Sequence, residues 1–153
     1  APAGPVRSLR QGTRAEALRR ARTCYDHLAG RLGVALLRSL LDRGAVVGGD
    51  GRHRVDAVTA DRLSAPGREL DYRLAPEGRA LLTGLGVAVP DSSALRYCVD
   101  WTEQAHHLSG AAGRALLERL LELDWVRRGE RHRSVLVTPA GERGLRTELG
   151  LTL

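Results

Sequence analysis

The residues of this chain whose types could carry chemistry are thiols, imidazoles and carboxylates that occur in two short groups. The groups consist of Cys24, Asp26 and His27 in the first half, and of Cys98, Asp100, Glu103, His106 and His107 in the second. Thiolate and imidazole are the ligand types that zinc and other soft divalent metals prefer in proteins. The two groups together therefore predict a candidate site for zinc or another soft divalent metal.

The spacing of these residues decides whether their side chains can meet. Cys24 and His27 are three positions apart, so on a helix they would lie on one face. A pseudo-twofold axis between two related units would bring Cys98 and His107 alongside them and complete four ligands. Two other interpretations stay open. Each cysteine is a buried small residue beside a histidine that caps its helix or bonds to the neighbouring aspartate, or the two thiols are a redox sensor.

The sequence around the two groups repeats. When His27 is aligned with His107, ten of the twenty positions in 27–46 are identical to those in 107–126. The match extends upstream, where Cys24-Tyr-Asp mirrors Cys98-Val-Asp. Two related units in one short chain predict pseudo-symmetric packing. We therefore expect a mainly α fold with short β-hairpins, made of two halves related by internal duplication.

Hydrophobic periodicity and turn residues predict the order helix, helix, β-hairpin, helix in each half. Residues 1–12 are predicted to be a linker or arm, and residues 13–153 a single duplicated domain with halves 13–88 and 91–153. Helices are expected from Thr13 toward Cys24, over 27–41, from Ser92 or Ser93 through Cys98 and Trp101 to Ala105, and over 108–123. Pro76 and Pro139 are each expected at the first position of a closing helix.

Composition favours an acidic partner and excludes several classes of protein. The formal net charge is +6 with a pI near 10.5, and all 24 basic residues are arginine. Nucleic acid is the usual partner of such a chain, although a solvated arginine-rich face has the same composition. No apolar run approaches the roughly 18 residues of a membrane span, so we expect no membrane partner and a cytoplasmic protein with reduced thiols. Neither a nucleophile elbow nor a phosphate-binding loop with lysine occurs, so the chain is not expected to be an enzyme.

The second predicted hairpin carries most of the candidate DNA contacts. Its basic residues are Arg127, Arg128, Arg131, His132 and Arg133. Arginines at such a tip suit phosphates and the minor groove. The alternative is a solvated turn whose arginines keep the domain soluble. The counterpart in the first half, residues 52–54, lies in a longer polar insertion and is a weaker candidate.

Several stretches of the sequence resemble known families of transcriptional regulators. The hairpin that runs from Trp125-Val-Arg-Arg to Val135-Leu-Val-Thr-Pro-Ala-Gly resembles the region where the wing of MarR-type winged helix-turn-helix proteins meets the following helix. The stretch from Arg22 to Ala35, which begins Arg22-Thr-Cys-Tyr-Asp-His-Leu-Ala-Gly, and the stretch from Arg96 to Gly110, which begins Arg96-Tyr-Cys-Val-Asp-Trp, resemble the C-terminal region of a subset of ArsR/SmtB-family transcriptional regulators. The second of these stretches departs from that pattern at Val99 and at Gln104-Ala105.

This resemblance covers residues 5–153 and implies both a fold and a role. The fold would be two winged-helix-like halves. The role would be the C-terminal regulatory domain of an ArsR-like repressor, used for effector sensing or for oligomerisation, with the specific DNA-reading domain upstream and outside this sequence. The resemblance also implies soft-metal sensing, a homodimer, and DNA contact mainly through the parent protein, with weak and non-specific DNA affinity of the domain itself. The alternative is a purely structural dimerisation or docking domain without a ligand.

Overall fold

The structure is a computed structural model that describes residues 16–54, 61–130 and 132–152. The predicted arm over 1–12, the predicted helix start at Thr13, and Arg131 of the basic hairpin lie outside these residues. Residues 16–20 are helical. The elements that follow are β1 (Arg22–Cys24), β2 (His27–Ala29), α1 (Gly30–Asp42), β3 (Val46–Val47), β4 (Arg73–Leu74), α2 (Pro76–Gly84), β5 (Arg96–Asp100), β6 (Ala105–Ser109), α3 (Gly110–Glu122), β7 (Val126–Arg128), β8 (Val135–Val137) and α4 (Pro139–Leu149).

Two predicted helices are replaced, in part or in full, by strands of β-hairpins. The expected helix toward Cys24 ends at residue 20, and β1 pairs antiparallel with β2. The expected helix from Ser92 or Ser93 to Ala105 is also wrong, because β5 and β6 occupy that stretch. His27 and His107 therefore lie in strands that precede the long helices, and they do not head those helices. At the start of α1, Gly30 has φ +73 and so keeps the helix from extending back into β2.

After the helical residues 16–20, the order hairpin, helix, hairpin, helix occurs in both halves of the chain. It replaces the predicted order of helix, helix, hairpin, helix, and the described residues mix helices with four short antiparallel strand pairs. The later elements agree with prediction: Pro76 and Pro139 are each the first residue of a helix. A proline suits this position because the first N–H of a helix has no partner in the helix.

In each half, the long helix packs against a strand of the other half. Helix α1 of the first half lies against β6 of the second, and α3 lies against β2. Glycines permit the close approach: a Cβ atom at Gly33 would lie 2.5 Å from the Leu28 carbonyl oxygen and 3.4 Å from Cβ of His107. A Cβ atom at Gly113 would lie 2.7 Å from the Leu108 oxygen and 3.2 Å from Cβ of His27. Each glycine is required mainly by the carbonyl of the strand that precedes its helix, and Gly113 also leaves room for His27 of the other half.

The core is built mainly from leucine and valine, and the chain contains neither Phe nor Met. Tyr72 and Tyr97 are also fully buried, and their rings meet edge to face at 5.0 Å. The β7–β8 hairpin is joined to the first hairpin, because Thr23 N–H donates to the Arg133 carbonyl at 2.8 Å and Val135 N–H to the Ala21 carbonyl at 3.2 Å. Within the described ranges, no helix is both long and apolar enough to cross a membrane.

Candidate metal centre

Two cysteines and two histidines meet between the first and third hairpins. Cys24 is paired with His27 across β1 and β2, and Cys98 is paired with His107 across β5 and β6. One ligand atom of each of the four residues can be chosen so that all lie within 4.8 Å of one another. Cys98, His27 and His107 are buried, whereas Cys24 is half-buried. The cysteine and histidine of each group therefore lie close together, as predicted, and the two groups meet. They are neighbours across paired strands, however, and not on one face of a helix.

The two imidazoles face each other through their Nε2 atoms, which lie 3.1 Å apart. Zinc–nitrogen bonds of about 2.0–2.1 Å at a tetrahedral angle place two nitrogens about 3.3 Å apart. The ring centroids of His27 and His107 are 4.9 Å apart and the planes are tilted by 45°. The separation of the two nitrogens thus fits a shared tetrahedral ion.

A carboxylate lies behind each imidazole. Nδ1 of His107 is 3.0 Å from Oδ2 of Asp100, and Nδ1 of His27 is 3.2 Å from Oδ1 of Asp26. A carboxylate accepts from the Nδ1 hydrogen and so leaves Nε2 with its lone pair. Two lone pairs at this separation repel unless a proton or a metal ion lies between them. Carboxylate, histidine and metal in series is the usual arrangement of a histidine ligand.

Asp100 is held by a dense set of donors. Its Oδ1 accepts from the Arg22 guanidinium at 3.1 Å and from the Thr102 hydroxyl at 2.7 Å. Its Oδ2 accepts from the Gly30 N–H at 2.7 Å as well as from His107. Burial alone would raise the pKa of Asp100, but the hydrogen bonds from His107, Thr102 and Gly30 outweigh it and hold that pKa well below the usual range. The side chain is fully buried and charged.

Arg22 completes this support. Its guanidinium bonds to Asp100 and to the Thr102 hydroxyl, and it also donates to the Leu18 carbonyl at 3.2 Å. The guanidinium lies over the Trp101 ring, 5.1 Å from its centroid. The sequence does not distinguish Arg22 from Arg96, which stands at the same place before the second cysteine. In the structure Arg22 is buried and Arg96 is exposed. The packing of the first hairpin on the third places Arg22, and not Arg96, against Asp100.

The two thiols are electrostatically different. Hydrogen bonds from the Cys98 thiol and then from His107 and His27 lower the pKa of Cys24 far below its ordinary value. The neighbouring Cys24 sulfur and then burial raise the pKa of Cys98. Cys24 is therefore the first of the pair to ionise, and it is also the one that solvent reaches.

The remaining members of the predicted group lie elsewhere. The ring of His106 points away from the cluster: its Nδ1 is 2.7 Å from the Tyr72 hydroxyl, and burial lowers the pKa of His106 to about 4. Glu103 donates its backbone N–H to Asp100 at 3.1 Å. Its carboxylate is not part of the group of ligand atoms that meet.

The predicted DNA-contact arginines differ in their surroundings. Arg127 forms two hydrogen bonds to the Asp124 carboxylate, at 2.7 and 2.8 Å. Arg128 and Arg133 line an open cleft of about 560 Å³ between the tip of the first hairpin and the tip of the β7–β8 hairpin. Their contact with DNA stays a prediction.

The chain is similar in sequence to a transcriptional regulator. Over 147 residues, or 93% of this chain, the sequence is 33% identical to an uncharacterized HTH-type transcriptional regulator, YdfF, of Bacillus subtilis strain 168. The chain spans 57% of that protein's length. No family model matches the chain, and no solved structure matches it significantly.

Proposed function

We propose that this chain is a metal-binding regulatory domain of a transcription regulator, in which Cys24, His27, Cys98 and His107 hold one zinc ion. The observation that carries the proposal is the geometry of the four ligand atoms, which lie within 4.8 Å of one another with both Nδ1 atoms directed at carboxylates. A set of two cysteines and two histidines around zinc leaves no open coordination position. The ion therefore acts by joining the two hairpins, and no hydrolytic chemistry is expected.

The regulatory part of the proposal rests on the relative. The Bacillus subtilis protein is named as an HTH-type transcriptional regulator, and this chain corresponds to 57% of it. We infer that a DNA-reading segment belongs to the remainder and that the ArsR/SmtB resemblance describes the parent protein. In that arrangement the chain is the C-terminal effector-sensing or oligomerisation domain of a repressor that acts as a homodimer.

We also infer that the two halves derive from one duplicated winged-helix-like unit. The same order of elements in both halves supports this, as do the equivalent cross-strand pairs of cysteine with histidine. Duplication explains why one ion has two ligands from each half. The zinc site is then the interface between two related units, and loss of the ion loosens that interface.

Metal analysis of the purified chain tests the proposal. Zinc-loaded protein is expected to retain one equivalent after gel filtration, and Cys24→Ser or His107→Gln to lose it. His132→Gln is the matched control, because His132 is exposed and lies outside the cluster. Cobalt substitution should give the strong visible absorption of tetrahedral thiolate coordination. Failure of the wild-type chain to hold zinc or cobalt would contradict metal binding and favour the ligand-free docking domain.

A further inference from the structure

We propose that the cleft between the first hairpin turn and the β7–β8 hairpin binds a backbone phosphate of duplex DNA. We also propose that Tyr25 contacts this phosphate and that metal binding at Cys24 and His27 holds Tyr25 in position. The first part stands on the cleft itself. The second part rests on the zinc site proposed above, because Tyr25 lies in the turn between two of the four ligands. The cleft is lined by Thr23, Tyr25, Arg128, Gly129, Glu130, His132, Arg133 and Ser134.

Main-chain hydrogen bonds fix the two walls of the cleft relative to each other. Thr23 N–H donates to the Arg133 carbonyl at 2.8 Å, and an isolated β-bridge joins Arg22 to Ser134. At the base of the hairpin, Val135 N–H donates to the Ala21 carbonyl at 3.2 Å. The strand that carries Cys24 is thus bonded to the hairpin that carries the arginines. The cleft is a built feature of the fold.

The chemistry of the lining suits a phosphate ester. Arg128 and Arg133 are exposed, and neither guanidinium has a carboxylate within ion-pair distance in the part of the chain that is described. Arg127, by contrast, is neutralised by Asp124. Glu130 contributes the only carboxylate among the described lining residues, and His132 adds a ring N–H. Guanidinium groups match two phosphate oxygens at once, which makes arginine the preferred partner of a phosphodiester.

Tyr25 stands at the edge of this cleft in an unusual conformation. Tyr25 is 93% exposed, and its φ of 65° lies in the left-handed region. A tyrosine hydroxyl is one of the groups that contact DNA phosphates. The open mouth of the cleft leaves room for a continuous DNA backbone, and the net charge of +6 attracts one.

The turn that holds Tyr25 is bracketed by ligands. Cys24 precedes it, His27 follows Asp26, and the Asp26 carboxylate is hydrogen-bonded to His27. An ion bound to both Cys24 and His27 restrains the ends of this two-residue turn and so holds Tyr25 over the cleft. Release of the ion frees the turn, which lowers the population of the binding conformation.

Fluorescence anisotropy with a labelled mixed-sequence duplex tests both parts on the full chain. Arg128→Ala, Arg133→Ala and Tyr25→Ala are compared with Arg38→Ala, which removes an equal charge from the exposed face of α1. Each cleft arginine variant is expected to weaken binding more than Arg38→Ala does, and to reduce the salt slope by about 1. An equal loss of duplex affinity in all three arginine variants would contradict phosphate binding in the cleft. Binding of inorganic phosphate at constant ionic strength, without measurable binding of the duplex, would overturn DNA as the source of the phosphate.

The role of the metal ion is tested by a separate comparison of zinc-loaded and metal-free protein. Zinc-loaded protein is expected to bind the duplex more tightly than protein stripped with a chelator, and Tyr25→Ala to abolish that difference. Equal DNA affinity of the two forms, in protein that metal analysis shows to hold zinc, would overturn the control by Tyr25 and leave the zinc site intact. If metal analysis finds no zinc, the proposed zinc site is wrong. The arginine variants still test whether the cleft binds DNA.

Discussion

The Nε2 atoms of His27 and His107 lie 3.1 Å apart, although 80 positions separate the two residues in the chain. Each ring is oriented by an aspartate at its other nitrogen. The two aspartates differ in environment, since the Asp100 side chain is fully buried and that of Asp26 is 48% exposed. The support of the two histidines is therefore unequal, and substitutions should reveal this.

Asp100→Asn is expected to weaken zinc binding by about 10–100-fold, the usual effect of removing the carboxylate behind a histidine ligand. Asp26→Asn should weaken it less, because solvent already competes for the exposed carboxylate. Competition with a chromophoric chelator measures both affinities. Asp71→Asn, at an exposed position away from the cluster, is the control. Equal affinities for Asp100→Asn and wild type would contradict the role of this carboxylate.

Arg22→Ala should destabilise the fold strongly, because it leaves the buried charge of Asp100 without its ion-pair partner. Breaking a buried pair costs about 3–5 kcal/mol. Arg31→Ala is the matched control: its pair with Glu16 spans 3.7 Å between side chains that are both more than half exposed, so about 1 kcal/mol or less is expected. Urea denaturation of the metal-free proteins measures both. Similar midpoints for the two variants would count against the buried network.

Gly33→Ala should push the start of α1 away from β2. The new Cβ would lie 2.5 Å from the Leu28 carbonyl oxygen, and the backbone must move to relieve the contact. Overpacking of this kind costs about 1–3 kcal/mol. The movement should also weaken zinc binding through His27, which precedes Leu28 in β2. Gly84→Ala serves as control because nothing lies within 4 Å of its Cβ position. Thermal denaturation and zinc titration should both distinguish the two variants.

Zinc should protect the thiols from oxidation. In metal-free protein, Cys24 and Cys98 are close enough for a small movement to join them, and one hydrogen peroxide then oxidises two thiols to a disulfide with release of two waters. Zinc-loaded protein is expected to lose its thiols more slowly, because both sulfurs are engaged by the ion. Free-thiol titration after peroxide treatment follows the reaction. Equal rates with and without zinc would argue that the sulfurs do not bind the ion.

The sequence by itself determined the ligand types, their occurrence in two equivalent groups, and the starts of the helices at Pro76 and Pro139. It could not reveal that Cys24 and Cys98 stand in strands. Leucine periodicity carries through residues 27–29 into α1, and only the left-handed Gly30 and the cross-strand hydrogen bonds separate strand from helix. Local pattern does not contain those bonds.

Tertiary structure alone decided which side chains meet. The packing of α1 on β6 and of α3 on β2 brings His27 to His107. The same packing buries Arg22 and leaves Arg96 exposed, although the two stand at equivalent places in the sequence. The physical reason is desolvation. A buried carboxylate such as Asp100 must be paired and fully hydrogen-bonded, and the packing of one hairpin on another determines which arginine is within reach.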